Sequence, residues 1–361
     1  MPLDESDIRR HLDALTKPPR SLGRLEDLAT RLCAIQQTLS PQTTPRRLVL
    51  FAADHGVVSA GVSAWPSDVT ALMVRTIREG NAASTVFARQ SNTDVVLVNV
   101  GVKSDVPIES PHPTVRYRDA RVCAGTRNLA EEPALTVAEF EQALDIGRQE
   151  STAAARDGIR VVLAGEMGIG NTTSAACLAM LLADMSLTDA VGRGAGADDA
   201  ILQRKRAIVQ SAVERSRRQS PHKPEALAKE DHHALSRALQ VSAIAEVAGL
   251  EIAAMAGFFI AAHAAKLTVL LDGYVASAAA LIAEHWQPGT SQSLIAAHLS
   301  AEPGHRHVLR ILGLEPFLDW NMRLGEGTGA LLLLPLLDAA ATMTRDMATL
   351  NSMGIAPRRD R

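Results

Sequence analysis

Short unbroken apolar runs alternate with stretches of helical periodicity through most of the chain. Arg47–Ala53 (RLVLFAA), Asp94–Gly101 (DVVLVNVG), Ile159–Ala164 (IRVVLA) and Leu267–Leu271 (LTVLL) each predict a buried strand. Between and after them the spacing predicts helices at Ser67–Arg89, interrupted near Gly80, and at Val137–Arg156, Thr172–Leu182, Ala197–Arg218 and Ala243–Ala265, with another from Val275. Continuous apolar strands separated by helices predict a parallel sheet covered on both faces. The expected fold class is α/β, a three-layer α/β/α sandwich of Rossmann-like type, with ligands beyond the carboxyl ends of the strands.

Three helical patterns fall outside this alternation. Glu5–Leu15 is short, and Leu22–Leu39 places Leu22, Leu25, Leu28, Leu32 and Ile35 on one face, after a break at Lys17-Pro18-Pro19. Gly329–Leu350 closes the chain. These predict a small helical subdomain built from residues 1–44 and 326–361, beside a large α/β domain over 45–325. The polar segment Arg217–Asp231 contains two prolines and is expected to be an exposed connection.

Composition narrows the function. Of 361 residues, 37 are Lys or Arg and 40 are Asp or Glu, a net charge of −3 that argues against general nucleic-acid binding. With 47% hydrophobic residues but only 3% aromatic ones, the core must be Ala, Leu, Val and Ile, and stacking platforms for single strands are not expected. Cys33, Cys123 and Cys177 form no Cys-x-x-Cys pair, so neither a disulfide framework nor a zinc site is implied. The polar start MPLDESDIRRHLD has no signal-peptide pattern. The apolar stretches Ala253–Ala262 and Ala330–Leu337 fall short of the ~20 residues of a membrane helix. A reduced, cytoplasmic protein away from membranes is expected.

Candidate chemistry gathers at the strand ends. Gly165-Glu166-Met167-Gly168-Ile169-Gly170-Asn171-Thr172-Thr173 sits between a strand and a helix; its glycines, hydroxyls and helix N-terminus suit a phosphate. The Lys of a Walker A loop is missing, and an ordinary glycine turn with a threonine cap fits the same residues. Gly192–Gly196 precedes Asp198-Asp199 and a helix carrying Arg204, Lys205 and Arg206, which suits either an anion or a solvated basic face. In Arg323-Leu324-Gly325-Glu326-Gly327-Thr328-Gly329, the carboxylate is a candidate general base, or a charge favouring a helix start. Asp54-His55-Gly56 and Asp272-Gly273 follow strands, where carboxylates hold ribose or simply make turns. His305 and His307 have no helical metal-pair spacing, so no metal is expected.

Taken together, these segments resemble one family, the nicotinate-nucleotide:dimethylbenzimidazole phosphoribosyltransferases. The resemblance runs through Lys17–Glu26, Ala53–Val57, GEMGIGNTT at 165–173, Asp198-Asp199 with Arg204–Arg206, Leu271–Tyr274, Ser300–His305 and Met322–Ala330, nearly the whole chain. It implies that Glu326 is the general base and that Glu166 lies near the reacting groups. It implies a phosphate cradle of Gly168, Ile169, Gly170, Asn171, Thr172 and Thr173, with Lys205 and Arg323 as nearby cations and Asp272 and Ser300 in the nucleotide pocket. Pro66, Ser67, Met167 and Leu324 are implied to line the pocket of the incoming base. Trp65 and Asn321 depart from the family pattern. The implied substrates are nicotinate mononucleotide and 5,6-dimethylbenzimidazole, with no metal or organic cofactor, and the implied assembly is a homodimer. Two rivals stay open on the sequence: another nucleotide-handling enzyme, such as a kinase or dehydrogenase, and a non-catalytic nucleotide sensor.

Overall fold

The computed structural model of the chain describes residues 3–108, 110–219 and 240–354. Six strands form one parallel sheet: β1 (Arg46–Ala53), β2 (Asp94–Gly101), β3 (Val115–Asp119), β4 (Val161–Met167), β5 (Thr268–Leu271) and β6 (Leu294–Ala296). Their order is β3-β2-β1-β4-β5-β6. The chain therefore winds outward one way from β1 and the other way from β4, which is the doubly wound arrangement with its switch point between them. The α/β/α expectation holds.

The unbroken apolar strands follow from burial on two faces. In β1, Val49, Phe51 and Ala53 point into one core and Leu48, Leu50 and Ala52 into the other. Against the first face lie helices Val137–Arg156, Asn171–Leu182, Leu250–Ala264 and Tyr274–Trp286. Against the second lie Glu5–Asp13, Arg24–Gln36, Asp68–Arg78, Ala83–Gln90 and Thr328–Asp346, so the helices of both termini share one core with the sheet. The ends of the chain are also laced together. Leu15 and Thr349 form an antiparallel bridge, and Leu350 N–H donates to the Ala14 carbonyl at 2.8 Å.

Several boundaries differ from expectation. The third predicted strand begins later and does not stop at Gly165. It runs to Met167, because Leu50, Phe51 and Ala52 of β1 pair with Gly165, Glu166 and Met167. Glu166 is thus a strand residue, not a loop residue. The helix expected over Ala243–Ala265 is broken before Leu250, since the carbonyls of Ala245 and Glu246 are taken by the amides of Leu135 and Ala134. Strands β3 and β6 were not expected, nor were β7 (His298–Ser300) and β8 (Leu318–Met322), which form a separate two-stranded parallel sheet. They are short, and the exposed side chains of β8 give no apolar run. The expected connection Arg217–Asp231 lies outside the described residues beyond Gln219.

Candidate active site

The cleft opens beyond the carboxyl ends of β1 and β4, at the switch point. It is lined by Glu166 to Thr172, by Arg193 to Ala195, by Gly273 to Val275, by His298, Ser300 and Glu302, by Arg323 to Gly325, and by Val62 to Ala64. Three glycine-rich segments far apart in the chain therefore face one space. β7 and β8 bring two of the groups together: Ser300 pairs with Met322, and Ala301 N–H donates to the Met322 carbonyl at 2.9 Å.

Helix Asn171–Leu182 points its N-terminus at the cleft, and Gly170 precedes it in the left-handed region at φ 95°. The turn is tied down locally. Ile169 N–H donates to Thr70 Oγ1 at 3.1 Å, Asn171 N–H to the Gly168 carbonyl at 3.2 Å, and Thr173 N–H to the Gly170 carbonyl at 2.9 Å. Thr172 lines the cleft, whereas Thr173 is buried behind it. Lys205 is also buried; its Nζ donates to Thr172 Oγ1 at 2.8 Å and to the Gly192 carbonyl at 3.2 Å. Burial lowers its pKa to about 8, with the Glu302 carboxylate working the other way. Lys205 thus joins the turn to the Gly192–Gly196 segment from beneath. Trp65 closes the same segment from outside, its indole N–H donating to the Ala195 carbonyl at 3.1 Å.

The carboxylates sit deeper. Glu166, at the end of β4, accepts a short hydrogen bond from the Asn171 side-chain amide. Burial, followed by the nearby carboxylates of Glu251 and Asp272, pushes its pKa well above the ordinary value. Glu326 is 3% exposed and accepts from Ser84 Oγ at 2.9 Å, just behind the wall made by Gly325. Burial raises its pKa, with the Ser84 hydrogen bond opposing. Asp272 lies outside the cleft lining. It accepts from the amides of Gly329 at 2.8 Å, Gly327 at 3.1 Å and Ala330 at 3.2 Å. Burial alone would raise its pKa, but the His298 hydrogen bond and these amides hold it low.

Among the other expected residues, Met167, Ser300, Arg323 and Leu324 line the cleft. Leu324 is 59% exposed, an apolar side chain at the rim. Ser67 Oγ donates to Asp54 Oδ1 at 2.7 Å, so the base-pocket segment is anchored to the end of β1. It reaches the cleft through Val62, Ser63 and Ala64; Pro66 and Ser67 are not in the lining. His305 is committed on both nitrogens, to Ser277 Oγ and to the Ser300 amide, and His307 to the Ala183 carbonyl and Arg310.

Sequence reasoning missed Ser84, Glu251 and His298. Ser84 and His298 carry no local signal. Glu251 does: it is a carboxylate opening an otherwise apolar helix, fully buried and 2.6 Å from His55 Nε2.

A doubly wound parallel sheet with a glycine turn, a helix N-terminus and buried carboxylates at its switch point defines a nucleotide-handling α/β enzyme. Residues 4–355 match the phosphoribosyltransferase family model, and the chain belongs to that family. It is 45% identical to the nicotinate-nucleotide–dimethylbenzimidazole phosphoribosyltransferase of Ralstonia nicotianae, over 97% of this chain and 93% of that one. It is 43% identical to the enzyme of the same name from Thermus thermophilus, over 97% and 98%. A crystal structure of CobT from Thermus thermophilus superposes with a TM-score of 0.86, at 41% identity and covering 98% of each chain.

Proposed function

We infer that the protein transfers the 5-phosphoribosyl group of nicotinate mononucleotide to 5,6-dimethylbenzimidazole, releasing nicotinate and forming α-ribazole 5′-phosphate, the lower-ligand nucleotide of cobalamin. The observation that carries this reading is the meeting of Glu166 and the Gly325–Glu326 turn in the depth of the glycine-turn cleft. An ideal Cβ on Gly325 would lie 2.3 Å from Glu166 Oε1.

In this reading the 5′-phosphate lies at the N-terminus of helix Asn171–Leu182, among the residues 168–173. Lys205 supports Thr172 there, and Arg323 faces the nucleotide. Leu324 and Met167 contact the base. A nitrogen of the benzimidazole attacks the anomeric carbon of ribose. The bond to the pyridinium nitrogen breaks, and its electron pair leaves with neutral-ring nicotinate, so no acid is needed. Attack opposite the leaving group turns a β-nucleotide into an α-ribotide. Glu326 takes the proton from the other ring nitrogen; a base raised above the usual carboxylate range is better matched to that task. Burial and its carboxylate neighbours push the Glu166 pKa up; a cation beside it, the pyridinium and then the developing oxocarbenium, favours the carboxylate and is stabilised by it in turn.

We further propose that the chain works as a homodimer in the cytoplasm, and that residues 1–44 and 326–361 act as one helical unit beside the 45–325 domain. No helix among the described residues is long and apolar enough to cross a membrane. The test of the reaction is incubation with nicotinate mononucleotide and dimethylbenzimidazole, following free nicotinate and the α-ribotide. Nucleotide binding without nicotinate release would favour a sensor instead.

A further inference from the structure

Glu326 has an unusual backbone. Its φ is 59°, in the left-handed region that a residue with a side chain rarely enters, and its neighbours Gly325 and Gly327 share that region at 84° and 72°. Such a run is held only when its surroundings over-determine it. Here Thr328 donates its N–H and Oγ1 to the Gly325 carbonyl at 3.0 and 2.7 Å, the Gly165 main chain packs against the turn, and one buried carboxylate grips the residues that follow Glu326. Asp272, from the end of β5, accepts the amide of Gly327 on Oδ2 and the amides of Gly329 and Ala330 on Oδ1. It caps the helix Thr328–Asp346 and clamps the residue after Glu326 in the same grip. Behind it, His298 Nε2 stands 3.5 Å from Asp272 Oδ1, both side chains buried. The His298 ring also packs on Gly329, where an added Cβ would come within 2.0 Å of Cδ2.

We propose that Asp272, held by His298, is the positioning residue of Glu326: it fixes the left-handed Gly325–Glu326–Gly327 turn and so aims the Glu326 carboxylate. This rests on Glu326 being the base. It also moves Asp272 from contact with the nucleotide, which the family resemblance implies, to a role exerted through another residue. The charged groups facing Glu326 are Glu166 from β4 and Asp272 from β5, with His298 of β7 behind Asp272 and Arg323 on the same turn. Among these, Asp272 disfavours the Glu326 carboxylate by like charge.

The test is a double-mutant cycle on the full chain, with Asp272→Asn, Glu326→Gln and both together. Asp272→Asn is expected to lower kcat by ~10–150-fold, the range of a lost charge-assisted hydrogen bond, while KM for nicotinate mononucleotide stays near the parent value. The acid limb of its pH profile should move to lower pH, because a negative neighbour of the base is gone. In the double variant Asp272→Asn should add nothing to the loss from Glu326→Gln. A raised KM with kcat retained, or losses that multiply, overturns the proposal. If Asp272→Asn does not fold, His298→Gln takes its place in the cycle, with the same expected dependence on Glu326. Full activity of Glu326→Gln would overturn the base assignment and this inference together. An impaired Glu326→Gln with multiplying losses overturns the inference alone.

Discussion

Gly165 and Glu326, 161 positions apart in the chain, are in direct backbone contact. A β-carbon on Gly165 would lie 2.5 Å from the Glu326 carbonyl carbon and 2.6 Å from the Gly327 nitrogen. The strand that carries Glu166 therefore serves as the seat for the turn that carries Glu326. The two carboxylates keep their spacing because their main chains touch, and helix Thr328–Asp346 starts from that contact.

Gly165→Ala follows directly. Forcing a methyl against the Glu326–Gly327 peptide unit and the Leu50 side chain costs ~1–3 kcal/mol, the usual range for overpacking. Urea unfolding should show that loss, and kcat should fall with it as the Glu326 turn is displaced. Parent-like stability and turnover would mean that the turn moves aside freely.

Glu326→Gln keeps the shape of the side chain and can still meet Ser84, but cannot take a proton. Turnover should fall by ~10²–10⁴-fold, the usual contribution of a general base. Nucleotide affinity, measured by calorimetry, should persist. Should Glu166→Gln abolish turnover while Glu326→Gln preserves it, the proton goes to Glu166.

The proposed reaction needs Glu326 as the ionised base, and burial raises its pKa. Activity is thus full above that raised value and is lost as pH falls through it, so the acid limb of kcat should sit above the ordinary range for Glu. The Ser84 hydroxyl favours the ionised form. Ser84→Ala removes that help, and the limb should move to higher pH. A limb unchanged or moved down would show that another group controls it.

Lys205 tests the phosphate end. Its Nζ supports Thr172 and the Gly192 carbonyl, so Lys205→Met should loosen both sides of the cleft. A charge-assisted contact of ~1.5–3 kcal/mol corresponds to ~10–150-fold in the use of nicotinate mononucleotide. Nicotinate riboside, lacking the phosphate, should be a far poorer substrate for the parent and should respond less to the substitution. Equal use of riboside and mononucleotide would remove phosphate from the turn.

The thiols should be bystanders. Burial raises Cys33 to about 11 and Cys177 to about 12, and it raises half-buried Cys123 as well. Thiolate is the reactive form, so iodoacetamide at neutral pH should leave turnover intact. Chelator treatment should also leave it intact. Loss on chelation, reversed by zinc or magnesium, would overturn the metal-free mechanism.

How much of this was legible beforehand depends on the range of the forces involved. The strands β1, β2, β4 and β5 were readable because a strand buried on both faces must be apolar throughout, a local property of the residues themselves. The glycine turn at 165–173 and the 323–329 turn were readable for the same reason: glycines and hydroxyls at a strand–helix junction state their chemistry locally. The strand order was not local, and neither was the extension of β4 to Met167, which exists because β1 lies alongside it. Ser84 and His298 look like any buried serine or histidine; only the packing of their elements sets Ser84 against Glu326 and His298 against Asp272. The three-residue strands β6 and β7 have too few positions to show a period. The sequence by itself determined the layered class, the glycine-rich turns and the acidic residues within them. Tertiary structure alone decided that Gly165 seats Glu326, that Asp272 caps the helix beside it, and that Lys205 braces Thr172, because each is a contact between residues more than thirty positions apart, formed only once the sheet has set their distance.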